Sequence, residues 1–312
     1  MGIFNSDKEL LMDKANESEG ATTTCSTRKR LSKGDVEELK EKLDLEQNIQ
    51  GIEHRILVMS GKGGVGKSSI AANIAVKLSM GGKHVGLMDI DVHGPSIPKI
   101  VGLEGATLKH NEEGLLPVDY SSNLKVISLG FLLPNRNEAV IWRSPLKHTL
   151  IKQFLKDVVW GELDYLIVDC PPGTGDELIS IVQLLEGADG AVIVTTPQDV
   201  ALNDVRKSIT FCREVKLPVI GVVENMSGFV CPHCGTTVDI FKSGGGERLA
   251  EEMGVPFLGR IPIDPGMVEH SDNGTPLVQH DAGSVTAEAF VPVIDTILGL
   301  AAKGNGGCNA CV

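Results

Sequence analysis

The chain has 312 residues, 42% of them hydrophobic and 22% charged, which is enough for one large domain with a sizeable core. A formal net charge of -12 argues against a basic face for phosphate backbones, so no nucleic-acid partner is expected. No apolar run reaches membrane-spanning length and no signal peptide is visible, so no membrane partner is expected and a cytoplasmic location is.

Residues 1–50 read as an N-terminal extension. Asn16–Lys33 is rich in Ser, Thr, Glu, Lys and Arg and lacks an apolar period, the composition of a mobile segment. Asp35–Leu45 has helical spacing with an acid at its start, which predicts one short helix. A core domain follows over residues 51–302, and residues 303–312 form a Gly-rich tail expected to be flexible.

His54–Ser60 is an apolar run of strand length. It leads into Gly61-Lys62-Gly63-Gly64-Val65-Gly66-Lys67-Ser68-Ser69, which meets the phosphate-loop pattern G-x-x-x-x-G-K-[ST] in full. Glycines there let backbone N–H groups turn toward phosphate oxygens, and a following helix adds its positive end. Ser68–Ser79 has the helical spacing this requires, ended by Gly81-Gly82. Lys67 is expected at the β- and γ-phosphates of ATP and the Ser68 hydroxyl at Mg²⁺. Lys62 stands too early in the loop to be needed by its own phosphates, which hints that it serves those of another chain.

Further strands are predicted at Val85–Ile90, Leu124–Leu129, Tyr165–Val168, Ala191–Thr195, Val219–Val223 and Pro256–Ile261. Helices are predicted at Leu146–Val159, Glu177–Gly187, Asp199–Val215, Gly246–Met253 and Val285–Leu300. Alternation of helices with fully apolar strands implies an α/β fold, a mostly parallel sheet with helices on both faces. Ligands in such folds sit at the carboxyl ends of the strands. Asp169 ends one strand, where an NTPase places the carboxylate that holds Mg²⁺. The turn Cys170–Asp176 after it is suited to sense a γ-phosphate. Asp89 and Asp91 end another strand. Asp91, farther past the strand end, is the candidate to orient the attacking water, and Asp89 to hold the loop or Mg²⁺. His93 offers a catalytic base but reads first as a loop histidine with a structural hydrogen bond. Asn225 offers a donor and an acceptor for the edge of adenine, and Asp264 is a candidate lining of the base pocket.

Cysteines supply the second chemistry. Cys231/Cys234 and Cys308/Cys311 are C-x-x-C pairs, which in a reducing compartment favour metal or redox chemistry. One pair gives two thiolates, whereas sites of this kind want about four ligands. The rest would come from a symmetric partner, from Cys308/Cys311, or from a zinc-knuckle version of either. Asp239–Phe241 nearby suggests a short hairpin. On spacing alone, zinc and iron–sulfur fit equally. Cys170 and Cys212 read as buried hydrophobes.

The segments GKGGVGKSS, DIDVHGPSIP, DCPPGTGD, GVVENMSGFVCPHCG and GGGERL occur here in that order. Together they resemble the Mrp/ApbC family of P-loop ATPases that carry iron–sulfur clusters, over roughly Glu53 to Leu300. The resemblance implies a fold of the MinD, ParA and nitrogenase iron-protein type. It implies slow ATP hydrolysis coupled to cluster binding or transfer, and a homodimer in which Lys62 reaches the partner's nucleotide. Asp91 and Asp169 would lie in the two switch segments. It also implies that Cys231 and Cys234 of two chains hold a [4Fe–4S] cluster, passed on to apo iron–sulfur proteins. Only Cys25 precedes the loop, so the four-cysteine N-terminal motif of some eukaryotic members is not matched.

Overall fold

The structure, a computed structural model, describes residues 45–304 except 47, 92–93, 113, 133–143 and 232. The expected helix at Asp35–Leu45 lies outside these residues except for its last position, and residues 45–46 and 48–50 are helical. Cys25, His93, Cys308 and Cys311 also lie outside them.

The chain alternates strands and helices in the predicted order. After β1 (Ile52–Ser60) and α1 (Lys67–Met80) come β2 (Val85–Asp89), α2 (Ile97–Ile100), β3 (Lys109–His110), β4 (Leu115–Leu116), β5 (Val118–Ser121) and β6 (Leu124–Ser128). Then follow α3 (Ser144–Asp157), β7 (Leu163–Asp169), α4 (Asp176–Leu184), β8 (Gly190–Thr195), α5 (Asp199–Glu214) and β9 (Val219–Glu224). The last part holds β10 (Phe229–Val230), β11 (Thr237–Val238), α6 (Gly245–Met253), β12 (Phe257–Arg260), α7 (Pro265–Asn273), α8 (Leu277–His280), α9 (Val285–Ala289) and α10 (Val291–Gly304).

The main sheet has eight strands in the order β12-β9-β8-β1-β7-β2-β6-β5. Every pairing is parallel except β5 with β6. Successive residues of β1 feed opposite faces: Ile56 and Val58 pack with α1 residues such as Ile70 and Ile74, while Leu57 and Met59 pack with Phe154, Leu178 and Val205. Burial on both faces is why these strands read as unbroken apolar runs.

The structure departs from the prediction in places. The single helix expected at Val285–Leu300 is two, parted at Phe290, because Pro292 lacks an N–H and suits a first helical turn. Helix α7 has no counterpart in the prediction. It buries no residue and so carries no apolar period.

Register brings the site together. Val58 pairs with Asp169, and Asp169 also pairs with Asp89, so the strand ends carrying the glycine loop and both acids lie side by side.

Candidate nucleotide site and cysteine hairpin

The loop after β1 turns into α1 at Gly66, whose φ of 83° is left-handed. A Cβ there would overlap the side-chain amide of Asn225, so the position requires glycine twice over. Asn225, at the end of β9, donates from Nδ2 to the Val65 carbonyl at 2.8 Å and from its backbone to Thr195 O at 2.8 Å. It is therefore a buried brace between β9 and the loop. On the other side, Gly173 N donates to Ser60 O at 2.8 Å and ties the turn after β7 to the start of the loop.

Lys67 is buried. Its Nζ lies 2.5 Å from Asp169 Oδ1 and 3.5 Å from Asp91 Oδ2. Burial works to lower its pKa, but the carboxylates of Asp169, Asp91 and Asp89 outweigh that and raise it, so the ammonium stays charged. Burial pushes the Asp169 carboxyl up, opposed by Lys67 and the Ser68 hydroxyl. Asp169 Oδ2 is buried with no hydrogen-bond partner among the described residues. An orphaned carboxylate oxygen beside a serine hydroxyl is a donor set that fits a hard cation such as Mg²⁺. With phosphates in the loop, Ser68 and Asp169 are the residues to hold it.

The two acids after β2 differ in placement. Asp89 is fully enclosed. It accepts from Asp91 N at 3.1 Å, Ile97 N at 3.2 Å and Ser128 Oγ at 2.9 Å, so it organises the loop that carries Asp91. Its carboxyl is pushed up to about 8 by burial and by the Asp169 charge. Asp91 lies at the loop lysine. The half-buried Lys62 side chain has no ion pair among the described residues; only its carbonyl is used, accepting from Ser60 Oγ at 3.0 Å.

Asp264 caps α7. One oxygen accepts from Gly266 N at 2.8 Å and the other from Thr286 Oγ1 at 2.5 Å. It borders a cleft of about 390 Å³ shared with Phe229, Val230, Ile263 and Glu269. Both carboxylate oxygens are thus engaged within the chain, and the Asp-Pro-Gly start is a legible cap signature that the sequence reading did not use.

Cys231 and Cys234 sit on the turn of the β10–β11 hairpin, where Phe229 pairs with Val238 and Val230 with Thr237. Cys231 N donates to Thr236 O at 3.0 Å and Gly235 N to Cys231 O at 2.9 Å. Cys234 is exposed, with its sulfur 3.3 Å from Thr236 Oγ1; the Thr236 hydroxyl and backbone, then Cys231, hold its thiol below the usual value. No cluster of three or more His, Cys, Asp or Glu that could hold a metal occurs among the described residues. Val238, Ile240 and Phe241, beside the pair, are exposed. Cys170 and Cys212 are buried, with burial pushing the Cys212 thiol up to about 11.

Sequence reasoning missed Glu224. It is fully buried and accepts from Gly244 N at 2.8 Å, from Gly246 N and from Ser227 Oγ. The signal was present: a glycine run opening a helix is an anion cradle, and here the anion comes from the chain itself.

A 47% identical relative is the iron-sulfur cluster carrier protein of Methanocaldococcus jannaschii, aligned over 88% of this chain and 92% of that protein. Another, 50% identical over 81% of this chain and 94% of its own length, is the cytosolic Fe-S cluster assembly factor CFD1 of Eremothecium gossypii. Among solved structures, a nucleotide-binding protein of Archaeoglobus fulgidus, in complex with ADP and with cobalt, is 42% identical and covers 75% of this chain and 91% of that one, with a TM-score of 0.67. Residues 51–298 match the ParA-type model described as NUBPL iron-transfer P-loop NTPase, and the chain belongs to that family.

Proposed function

We propose that the protein is an ATP-binding and ATP-hydrolysing carrier that holds a [4Fe–4S] cluster between two copies of itself and hands it to apo iron–sulfur proteins in the cytoplasm. The observation that carries this reading is the Cys231/Cys234 pair, half-buried and exposed respectively, which belongs to no group of three or more metal-ligating side chains among the described residues. Two thiolates leave a four-ligand site half-built, and a symmetric copy supplies the other half. The Lys62 side chain, with no ion pair among the described residues, supports the same arrangement, since it could reach a partner's phosphates. Within one subunit the loop Gly61–Ser69 would cradle the phosphates, with Lys67 moving from the carboxylates to the phosphates. Ser68 and Asp169 would hold Mg²⁺, which screens phosphate charge when bound. Asp91 would orient water, and Asn225 and Asp264 would border the base. No helix among the described residues is long and apolar enough to cross a membrane.

The test is anaerobic reconstitution followed by absorption spectroscopy and metal analysis. The expected protein is brown, with about two iron and two sulfide per chain. Cys231→Ala or Cys234→Ala should lose the colour and keep ATP binding. A colourless protein loaded only with zinc would refute the reading.

A further inference from the structure

The segment carrying Cys231 and Cys234 leaves the domain after Ser227 and returns at Ser243, and one side chain grips both ends. Glu224 Oε1 accepts from Ser227 Oγ at 2.5 Å and from Gly244 N at 2.8 Å, and Oε2 accepts from Gly246 N. Ser227 and Ser243 hydroxyls lie 3.3 Å apart, which closes the base of the hairpin. The adjacent residue, Asn225, holds the Val65 carbonyl of the phosphate loop. Two consecutive residues at the end of β9 therefore touch the two sites, one each.

Backbone conformation marks the same place. Three non-glycine residues among those described have positive φ, and two of them are Met226 at 56° and Lys242 at 70°. Met226 stands just before the grip at Ser227, and Lys242 just inside the returning end of the segment. Left-handed backbone is uncommon at Met and Lys and is held by surrounding contacts. The segment's other ties to the domain among the described residues include Ile263 N donating to Gly228 O at 2.7 Å, the bridge of Phe229 to Ile263, and Lys242 Nζ donating to Asp199 Oδ2 at 2.7 Å.

We infer that Glu224 is a positioning residue that couples occupancy of the phosphate loop to the placement of the Cys231/Cys234 pair, through Asn225 on one side and Ser227 with Gly244 and Gly246 on the other. The inference rests on the nucleotide-binding part of the proposed function but not on any cluster. A nucleotide that shifts the loop at Val65 pulls on Asn225, and the shift reaches the hairpin base through Glu224. The predicted consequence is reciprocal: nucleotide alters the thiols' surroundings, and a ligand on the thiols alters nucleotide affinity by the same factor.

The experiment measures alkylation of Cys231 and Cys234 by iodoacetamide, peptide by peptide, in the reduced full-length chain with and without Mg-ATP. ATP affinity is measured in parallel by fluorescence titration. In the unsubstituted chain, ATP should change the rate at these two cysteines by about fivefold or more. Glu224→Gln and, as a milder change, Ser227→Ala should cut that effect to less than about twofold, within the scatter of an uncoupled site, while ATP affinity stays within about threefold. Glu252→Ala, at the exposed pair with Arg206, should keep the full effect. A purely structural Glu224 would lower stability without uncoupling the two readouts. The inference is overturned if the unsubstituted chain binds ATP with unchanged cysteine rates, or if Ser227→Ala retains the full response. Failure of the unsubstituted chain to bind ATP would overturn the nucleotide reading itself and the coupling with it.

Discussion

Lys67→Ala tests the electrostatics of the site before any ligand enters. The ammonium lies 2.5 Å from Asp169 and 3.5 Å from Asp91. At an effective dielectric of about 20 these pairs are worth roughly 6–7 and 5 kcal/mol gross, most of it offset by the cost of burying the charges. The substitution leaves Asp169 enclosed without its cation, a loss of about 3–5 kcal/mol for a buried pair broken on one side. Proton uptake caps that loss. From an ordinary carboxyl near 3.8, neutralising Asp169 costs about 4 kcal/mol at pH 7 and about 1.6 kcal/mol at pH 5. Burial already raises the Asp169 pKa in the unsubstituted chain, so part of the cost is present there too. The expected destabilisation by Lys67→Ala is therefore about 2–4 kcal/mol at pH 7 and under about 1.5 kcal/mol at pH 5. The sign follows from linkage. A carboxyl raised in the folded state penalises folding only above its unfolded pKa, by about 1.4 kcal/mol per pH unit until the folded pKa is reached. Urea titrations of the nucleotide-free full-length chain at both pH values give the comparison. Equal destabilisation at pH 5 and pH 7, or none at pH 7, would refute the reasoning.

Two further outcomes follow from local geometry. Gly66→Ala forces a side chain into a left-handed position at a cost of about 1–2 kcal/mol and displaces the Asn225 amide from Val65 O, about 1 kcal/mol more. ATP affinity by fluorescence titration should fall at least about tenfold, and unchanged affinity would contradict the steric account. Thr236→Val removes the hydroxyl that favours the Cys234 thiolate, so the pH midpoint of Cys234 alkylation should move upward. A midpoint that stays put, or moves down, would show that the hydroxyl does not tune the thiol.

The parts of the fold most legible in the sequence are those buried on both sides. Strands β1, β7 and β8 read as apolar runs because each face meets helices, and the glycine loop declares itself because phosphate binding constrains every position in it. What escaped has little burial or no period. Strands β3 and β4 are two residues each, and β5 runs Val-Asp-Tyr-Ser at the sheet margin. Helix α7 is fixed by its ends, through Asp264 and the left-handed Gly274, rather than by a buried stripe. Glu224 escaped for a different reason. Its partners Gly244 and Gly246 are 20 and 22 residues away in the chain, and only the crossing of β9 with the start of α6 joins them. In the same way, sequence order names Asp89 and Asp91 as a pair, but only the contacts to Ile97 and Ser128 separate the residue that holds the loop from the one that faces Lys67.

The margins of the eight-stranded sheet bear on how copies of the chain can meet. At one margin β5 is short, antiparallel to its neighbour and irregular between Asp119 and Ser121, with an outward acid. At the other, β12 has four residues, follows Pro256 and is irregular between Phe257 and Gly259. Bulges, brevity, proline and charge are the features that block strand-by-strand growth into fibres. With both margins blunted, sheet continuation is a poor route for self-association. In the proposed dimer, the exposed Val238, Ile240 and Phe241 near the cysteine pair would supply apolar contact surface outside the eight-stranded sheet.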